Sequence, residues 1–326
     1  MMKIAQILIG FIICYPFMEI QAQKGTIVNI EEGGYITDCA VTPGGSVIIY
    51  PKGNDIIAYD INKMSELRQF KDVSQSIILS LAISEDSIFL VSGNTEGTLI
   101  IQNLRNGTIQ NIHNHHKSQV LDIDISSDSR YCCSGDSEGK LVLTELTGKE
   151  VRAIDLEEYC EITSLLFTRN GKNIIGGTSS GKIFIYNISQ DEIEIFPEAH
   201  EDWVRTLCLE NNGERLYSGG DDKKLLHWDI SSTNNIKYIH SKDKCSSWIT
   251  ACTVAADNSA FATGTVAGDV ILTGNYGISY KHYLESPVRN LKILTDKTKM
   301  ATVVATTYGK GIWIIPLIAM QKNNDK

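Results

Sequence analysis

Seven short stretches share one form: Ile56-Ile57-Ala58-Tyr59-Asp60, Leu99-Ile100-Ile101-Gln102-Asn103, Leu141-Val142-Leu143-Thr144-Glu145, Ile183-Phe184-Ile185-Tyr186-Asn187, Leu225-Leu226-His227-Trp228-Asp229, Val270-Ile271-Leu272-Thr273-Gly274 and Ile312-Trp313-Ile314-Ile315-Pro316. Each is an apolar run behind a polar turn. The fourth residue falls at 59, 102, 144, 186, 228, 273 and 315, so successive separations are 43, 42, 42, 42, 45 and 42 residues. So constant a period means one unit repeated seven times. Upstream of each stretch comes another apolar strand and a turn such as Thr42-Pro43-Gly44-Gly45, Ser126-Ser127-Asp128-Ser129 or Thr168-Arg169-Asn170-Gly171. Asp, Asn and Gly recur there because they tolerate the bridge and left-handed backbone regions that tight turns require. Each unit reads strand, turn, strand, turn, strand, with a weaker fourth strand behind, and no segment sustains a 3.6-residue period.

A unit of ~40–45 residues with four strands is a propeller blade. One such sheet cannot bury both faces alone, whereas seven packed radially hide every face except the ends. The expected fold is therefore all-β, a seven-bladed β-propeller over residues 23–319. It explains how roughly 300 residues make one domain without an oversized core.

The fifth unit carries the most specific motif. Ala199-His200 stands for a Gly-His pair, Ser218-Gly219-Gly220-Asp221-Asp222 for a Ser-Gly-Ser-x-Asp turn, and Trp228-Asp229 for a Trp-Asp signature. On these residues the chain resembles the WD-repeat (WD40-type) propellers, and the resemblance extends over about residues 24–319. Trp-Asp occurs once; elsewhere stand Tyr59-Asp60, Gln102-Asn103, Thr144-Glu145, Tyr186-Asn187, Thr273-Gly274 and Ile315-Pro316. The resemblance implies closure of the ring by the N-terminal strand, Thr26 to Ile30, which would complete the last blade and remove an exposed sheet edge. It also implies a structural tetrad of His200, Ser218, Asp222 and Trp228, a chain of hydrogen bonds from Asp through His and Ser to the indole N–H. A His–Ser–Asp set otherwise suggests a hydrolase triad, but here the spacing follows the repeat register. Blade three keeps His116 and Ser134 and has Glu138 and Thr144 in the other two places, which implies a shortened network.

In this family partners often bind the rim where the first strand of each blade begins. The residues there include Tyr35, Trp203, Arg205, Trp248 and Arg289, on the contiguous blades five, six, seven and one. An exposed propeller end gains nothing in folding from Trp and Arg, yet both are enriched among binding hot spots. The competing reading is that each Trp plugs the gap to its neighbouring blade. The implied function is a scaffold or recognition module with other proteins as partners. Two alternatives are a propeller enzyme, a hydrolase or lyase, working in the central channel, and a subunit of a cell-envelope complex. For the enzyme, the channel-lining positions are mostly small or apolar, with Asp38 and Asp122 the acidic exceptions.

Composition narrows the compartment and the partners. A hydrophobic content of 42% and a mean hydropathy of -0.09 describe a soluble globular chain. A formal charge of -9 without a Lys/Arg cluster makes phosphate-backbone binding a poor fit, so no nucleic-acid partner is expected. Residues 1–22 read as a secretory signal peptide: Lys3, an apolar run from Ile4 to Phe17, then Ile20-Gln21-Ala22. The run is about 14 residues where a bilayer span takes about 20. The chain is thus expected to be exported to a periplasm, lumen or the exterior, with no stable membrane insertion after cleavage. Residues 320–326 form a polar tail.

Eight cysteines are present and seven remain after cleavage, an odd number that leaves at least one thiol free or paired between chains. Cys39, Cys132, Cys133, Cys208 and Cys252 fall in predicted strands, where cysteine serves as a small apolar residue. No C-x-x-C or zinc-like spacing occurs, and neither metal nor cofactor is expected. Gly177-Thr178-Ser179-Ser180-Gly181 matches G-x-S-x-G, but no helix follows it as a nucleophile elbow requires. His113-Asn114-His115-His116 reads as a solvated connecting loop, and Asn106-Gly107-Thr108 and Asn187-Ile188-Ser189 are formal glycosylation sequons. Sequencing the mature N-terminus should give a start near Gln23; an intact Met1 would overturn the expectation of export.

Overall fold

Local turn chemistry sets the strands first. Between the first and second strands of six blades a backbone bond closes the turn: Gly45 to Thr42 at 2.7 Å, and Ser87 to Ser84, Ser129 to Ser126, Gly171 to Thr168, Gly213 to Glu210 and Asn258 to Ala255 at 2.8 Å. The donor residue is left-handed each time, with φ between 56 and 73°. Glycine takes that conformation freely at three of the six sites; Ser87, Ser129 and Asn258 take it at some steric cost. Side chains finish the turn. The Ser84 hydroxyl receives the Phe89 N–H at 2.9 Å and donates to Asp86 Oδ1 at 2.6 Å, and Ser126 does the same with Tyr131 and Asp128 at 3.0 and 2.6 Å.

The computed structural model describes residues 28–30, 36–148, 150–156, 160–231, 237–242, 245–274, 279–295 and 301–316. The expected signal segment, the expected polar tail and Tyr35 of the expected rim set lie outside the described residues. Among those described, twenty-eight strands form seven four-stranded antiparallel sheets, which is the seven-bladed propeller expected from the repeat. The inner strands, which face the central channel, are Ala40–Val41, Ile78–Ile83, Val120–Ile125, Ile162–Phe167, Val204–Leu209, Ile249–Val254 and Val288–Thr295. In blade five Arg215–Gly220, Leu225–Asp229 and Lys237–Lys242 follow outward in order. The strand Val28–Ile30 pairs antiparallel with Gly311–Pro316, matching Val28 to Ile314 and Ile30 to Ile312, so the two ends of the chain share the last blade.

The apolar cores lie between blades, not within them. Val204 and Leu207 of blade five pack with Leu166, Ile175, Ile183 and Ile185 of blade four, and Ile162 and Leu165 of blade four with Cys133, Leu141 and Leu143 of blade three. A column of glycines lets the blades approach. A Cβ on Gly93, Gly135, Gly177, Gly219 or Gly264 would lie 2.4 to 2.5 Å from a side-chain carbon of Val120, Ile162, Val204, Ile249 or Val288, the first inner-strand residue of the next blade. Real Cβ contacts do not come that close, so only glycine fits unless the next blade moves. We expect Gly135→Ala to lower stability by about 1–3 kcal/mol through overpacking. The check is the urea midpoint at unchanged m-value; a wild-type midpoint would show that the interface yields freely.

Candidate recognition site at the channel mouth

In blade five, His200 precedes the inner strand, Ser218 lies on the second strand and Trp228 on the third, and Asp222 sits in the hairpin between those two. His200 Nδ1 lies 2.9 Å from Asp222 Oδ1, His200 Nε2 lies 2.8 Å from Ser218 Oγ, and the Trp228 indole N–H donates to Ser218 Oγ at 2.8 Å. With the imidazole proton on Nδ1, every donor in this chain has an acceptor. All four side chains are buried. The hydroxyl is thus committed on both sides, which is the geometry of a clamp between strands.

Blade three builds a similar clamp with a different acid from the one expected. His116 Nδ1 meets Asp136 Oδ2 at 2.9 Å and His116 Nε2 meets Ser134 Oγ at 2.7 Å, so Asp136 and not Glu138 completes the network. Asp136 is the last residue of its strand, at the place of Gly220 in blade five, where a Cβ would lie 3.1 Å from His200 Nδ1. A short side chain there reaches the ring directly. Asp136 Oδ1 meanwhile receives the N–H groups of Glu138 and Lys140 at 2.9 and 2.8 Å. Burial alone would raise the pKa of Asp136 and Asp222, but the hydrogen bond from the facing His, with those from backbone N–H groups, holds both below the usual carboxylate value.

Two other motifs take structural places. Ser179 accepts the Glu161 N–H at 2.9 Å inside a hairpin between antiparallel strands. His113 Nδ1 and His115 Nε2 lie 3.2 Å apart with stacked rings. Among the described residues no group of three or more potential ligands gathers for a metal.

The inner strands enclose a channel of about 660 Å³. Asp38 and Asp122 line it, and so do Asp124 and Lys292, which the sequence reading did not single out. The carboxylates are engaged in holding blades together. Asp38 receives the Leu81 N–H of blade two at 2.8 Å and the Asn290 amide of blade seven. Asp122 and Asp124 receive the Leu165 and Phe167 N–H groups of blade four, each at 2.6 Å. Ser164 accepts from Leu207 at 3.1 Å and Thr206 from Cys252 at 3.0 Å, which continues the belt to blades five and six. Burial pushes Asp122 up to about 7 and Asp124 up to about 6, and it raises Asp38 against the pull of Lys292. At the far mouth, Arg169 of blade four reaches Glu85 of blade two at 3.7 Å and contacts Asn211 of blade five.

The near mouth gathers Trp203, Arg205, Trp248 and Arg289 of the expected rim set, together with Tyr308. Arg205 stacks 4.1 Å from the Trp203 ring centroid and makes a bidentate pair with Asp221, Nε to Oδ1 at 2.9 Å and Nη2 to Oδ2 at 2.6 Å. Asp221 is only 7% exposed, so this pair is largely withdrawn from solvent. Arg289 donates through Nε to the Thr37 carbonyl at 3.1 Å and lies 5.7 Å from the Tyr308 ring centroid. Trp248, in contrast, is 44% exposed. Asp221, read only as part of the blade-five turn motif, and Tyr308 were not assigned to the rim because each sits in a hairpin beside the aligned column.

The family model described as "WD domain, G-beta repeat" matches residues 107–143 and 192–229. Those segments include His116, Ser134 and Asp136 in one case and His200, Ser218, Asp222 and Trp228 in the other, the two clamped blades. These are WD40 repeats. The propeller as a whole is similar to the crystal structure of the Myceliophteria thermophila Cps50 (Swd1) beta-propeller domain, with a TM-score of 0.77 and 15% sequence identity over 90% of this chain and 100% of that one. At that identity the likeness is one of fold. No curated protein matches the sequence.

The WD40 clamps and the channel belt respond to pH with opposite signs. Asp122 and Asp124 bind protons more tightly folded than unfolded, so their contribution to stability is greatest near pH 4 and is lost as pH rises to about 7. Asp136 and Asp222, held below the ordinary value of 3.8, contribute stability above it that is lost on further acidification. The contribution of these four groups should therefore peak near pH 4 and decline toward pH 7. Asp122→Asn should flatten the decline from pH 4 to 7 in urea midpoints; a profile parallel to wild type would refute the assignment.

Proposed function

We propose that the chain is an exported, non-catalytic WD40 propeller that binds another protein through the rim formed by blades five, six, seven and one. WD40 propellers are typical protein-interaction modules, and the geometry supports that use of this one. Trp248 carries the reading. A large indole, nearly half in solvent at the mouth of a rigid frame, contributes little to folding and offers a broad contact surface with one polar handle. Beside it the Trp203–Arg205–Asp221 cluster forms a pre-organised flat patch, which lowers the entropy lost on docking.

The same geometry argues against the enzyme reading. Asp38 and Asp122 each accept backbone N–H groups from a neighbouring blade, so neither is a free acid aimed at a substrate. Export rests on the N-terminal segment alone.

The geometry also selects the test. Removing Arg205 would leave the buried Asp221 carboxylate without its partner and disturb the rim itself. Trp248→Ala avoids that. Affinity capture from an extract of the native host should compare wild type with Trp248→Ala and with Arg169→Ala at the opposite mouth. A partner lost by tenfold or more only in Trp248→Ala supports the rim; retention of every partner by that variant overturns it.

A further inference from the structure

Two thiols face each other across one blade interface. The repeat register shows why. The fifth inner-strand residue of a blade points at the next blade, as Asp124 does in reaching the Phe167 N–H at 2.6 Å. The fourth residue of that next blade points back: Leu81 packs with Ala40, Ile49 and Ile56 of blade one, and Ile123 with Ala82 and Val91 of blade two. Around the ring these facing positions hold Ala40 and Leu81, Ala82 and Ile123, Asp124 and Leu165, Leu166 and Leu207, Cys208 and Cys252, Thr253 and Leu291, Lys292 and Cys39. Only the joint of blades five and six sets cysteine against cysteine.

The local contacts agree with the register. Thr206, two residues before Cys208 and on the same face of the strand, receives the Cys252 N–H at 3.0 Å and donates its hydroxyl to Cys252 Sγ at 3.5 Å. The Cys252 sulfur is thereby held against blade five, within electrostatic reach of the Cys208 thiol. Both residues line the channel, Cys208 half-buried and Cys252 buried, so a small oxidant has a route to them. Cys132 and Cys133, though adjacent in sequence, enter separate cores on opposite faces of their sheet.

We propose that Cys208 and Cys252 form a disulfide that staples blade five to blade six when the chain meets a low-molecular-weight disulfide oxidant. Cys208, the more accessible, gives up its proton and attacks one sulfur of the oxidant, RSSR. A mixed disulfide forms and the first RSH leaves with a proton. Cys252 then attacks Cys208 Sγ and expels the second RSH, which takes the Cys252 proton. Two electrons pass from the protein thiols to RSSR, and the products are one protein disulfide and two RSH. Burial pushes the Cys208 thiol well above its ordinary range, so the first step is slow. The staple joins the strands Val204–Leu209 and Ile249–Val254, whose upper ends carry Arg205 and follow Trp203 and Trp248. It depends neither on export nor on the rim's binding a partner.

The experiment incubates the folded full chain with oxidised glutathione, then unfolds it in iodoacetamide and measures intact mass and tryptic peptides. Two fewer alkylated thiols are expected, with the peptide bearing Cys208 joined to that bearing Cys252. Cys245 lies on the same tryptic peptide as Cys252, so Cys245→Ser separates the two. The link should persist in Cys245→Ser and vanish in Cys208→Ala and in Cys252→Ala. Oxidation should also raise the urea midpoint of the wild type, reversibly with dithiothreitol, and leave that of Cys208→Ala unchanged. The proposal is overturned if all thiols of the oxidant-treated protein remain alkylatable, if glutathione stays attached to Cys208 unresolved, or if the link disappears in Cys245→Ser.

Discussion

The contact between a glycine in one blade and the first inner-strand side chain of the next governs this ring. A blade of four strands has no interior of its own, so its apolar residues are buried only if its neighbour comes close. Gly93, Gly135, Gly177, Gly219 and Gly264 permit that approach by leaving room for Val120, Ile162, Val204, Ile249 and Val288. At these five joints the section from channel to rim is positioned by this spacing. The inter-blade cores fill the volume it defines, and the channel belt spans the distance it leaves.

Polar burial follows the same logic. Buried polar groups are tolerated only when paired, and here the pairing is used to join strands within a blade or blades to each other. The His–Ser–Asp clamps tie blades three and five internally. Asp38, Asp122, Asp124, Ser164 and Thr206 tie neighbouring blades. Groups that would suggest chemistry in another fold are consumed by architecture.

The blade number, the hairpin turns, the ring closure and the clamp of blade five were legible because each is a pattern at fixed spacing along the chain. What was not legible depends on reach across it. Glu138 occupies the expected position for the acid of blade three, yet Asp136 lies closer to the ring, and spacing does not reveal that. The second-strand glycines stand in plain view in the sequence, but the residue each makes room for lies 24 to 30 positions away in another sheet. Arg205 and Arg289 read as free cations at an exposed rim. Their partners, Asp221 and the Thr37 carbonyl, lie 16 and 252 residues away, and only the fold shows that both guanidinium groups are already engaged.

Arg289 shows how rim and ring compete for the same residue. Most blade joints connect residues about 43 positions apart, whereas the seam between blades seven and one brings together residues 252 apart. In the loop-closure relation that difference costs about 1.6 kcal/mol more entropy. The seam carries matching polar contacts: Asn290 with Asp38, Arg289 with the Thr37 carbonyl, and the charge of Lys292 near Asp38. At about 0.5–1.5 kcal/mol for a typical net hydrogen bond, two such bonds offset the extra entropy. Arg289 is therefore accounted for by closure before any partner is invoked, and Arg205 by its pair with Asp221. Of the expected rim residues that are described, Trp248 is the most exposed, at 44%, which centres the proposed recognition surface on blade six.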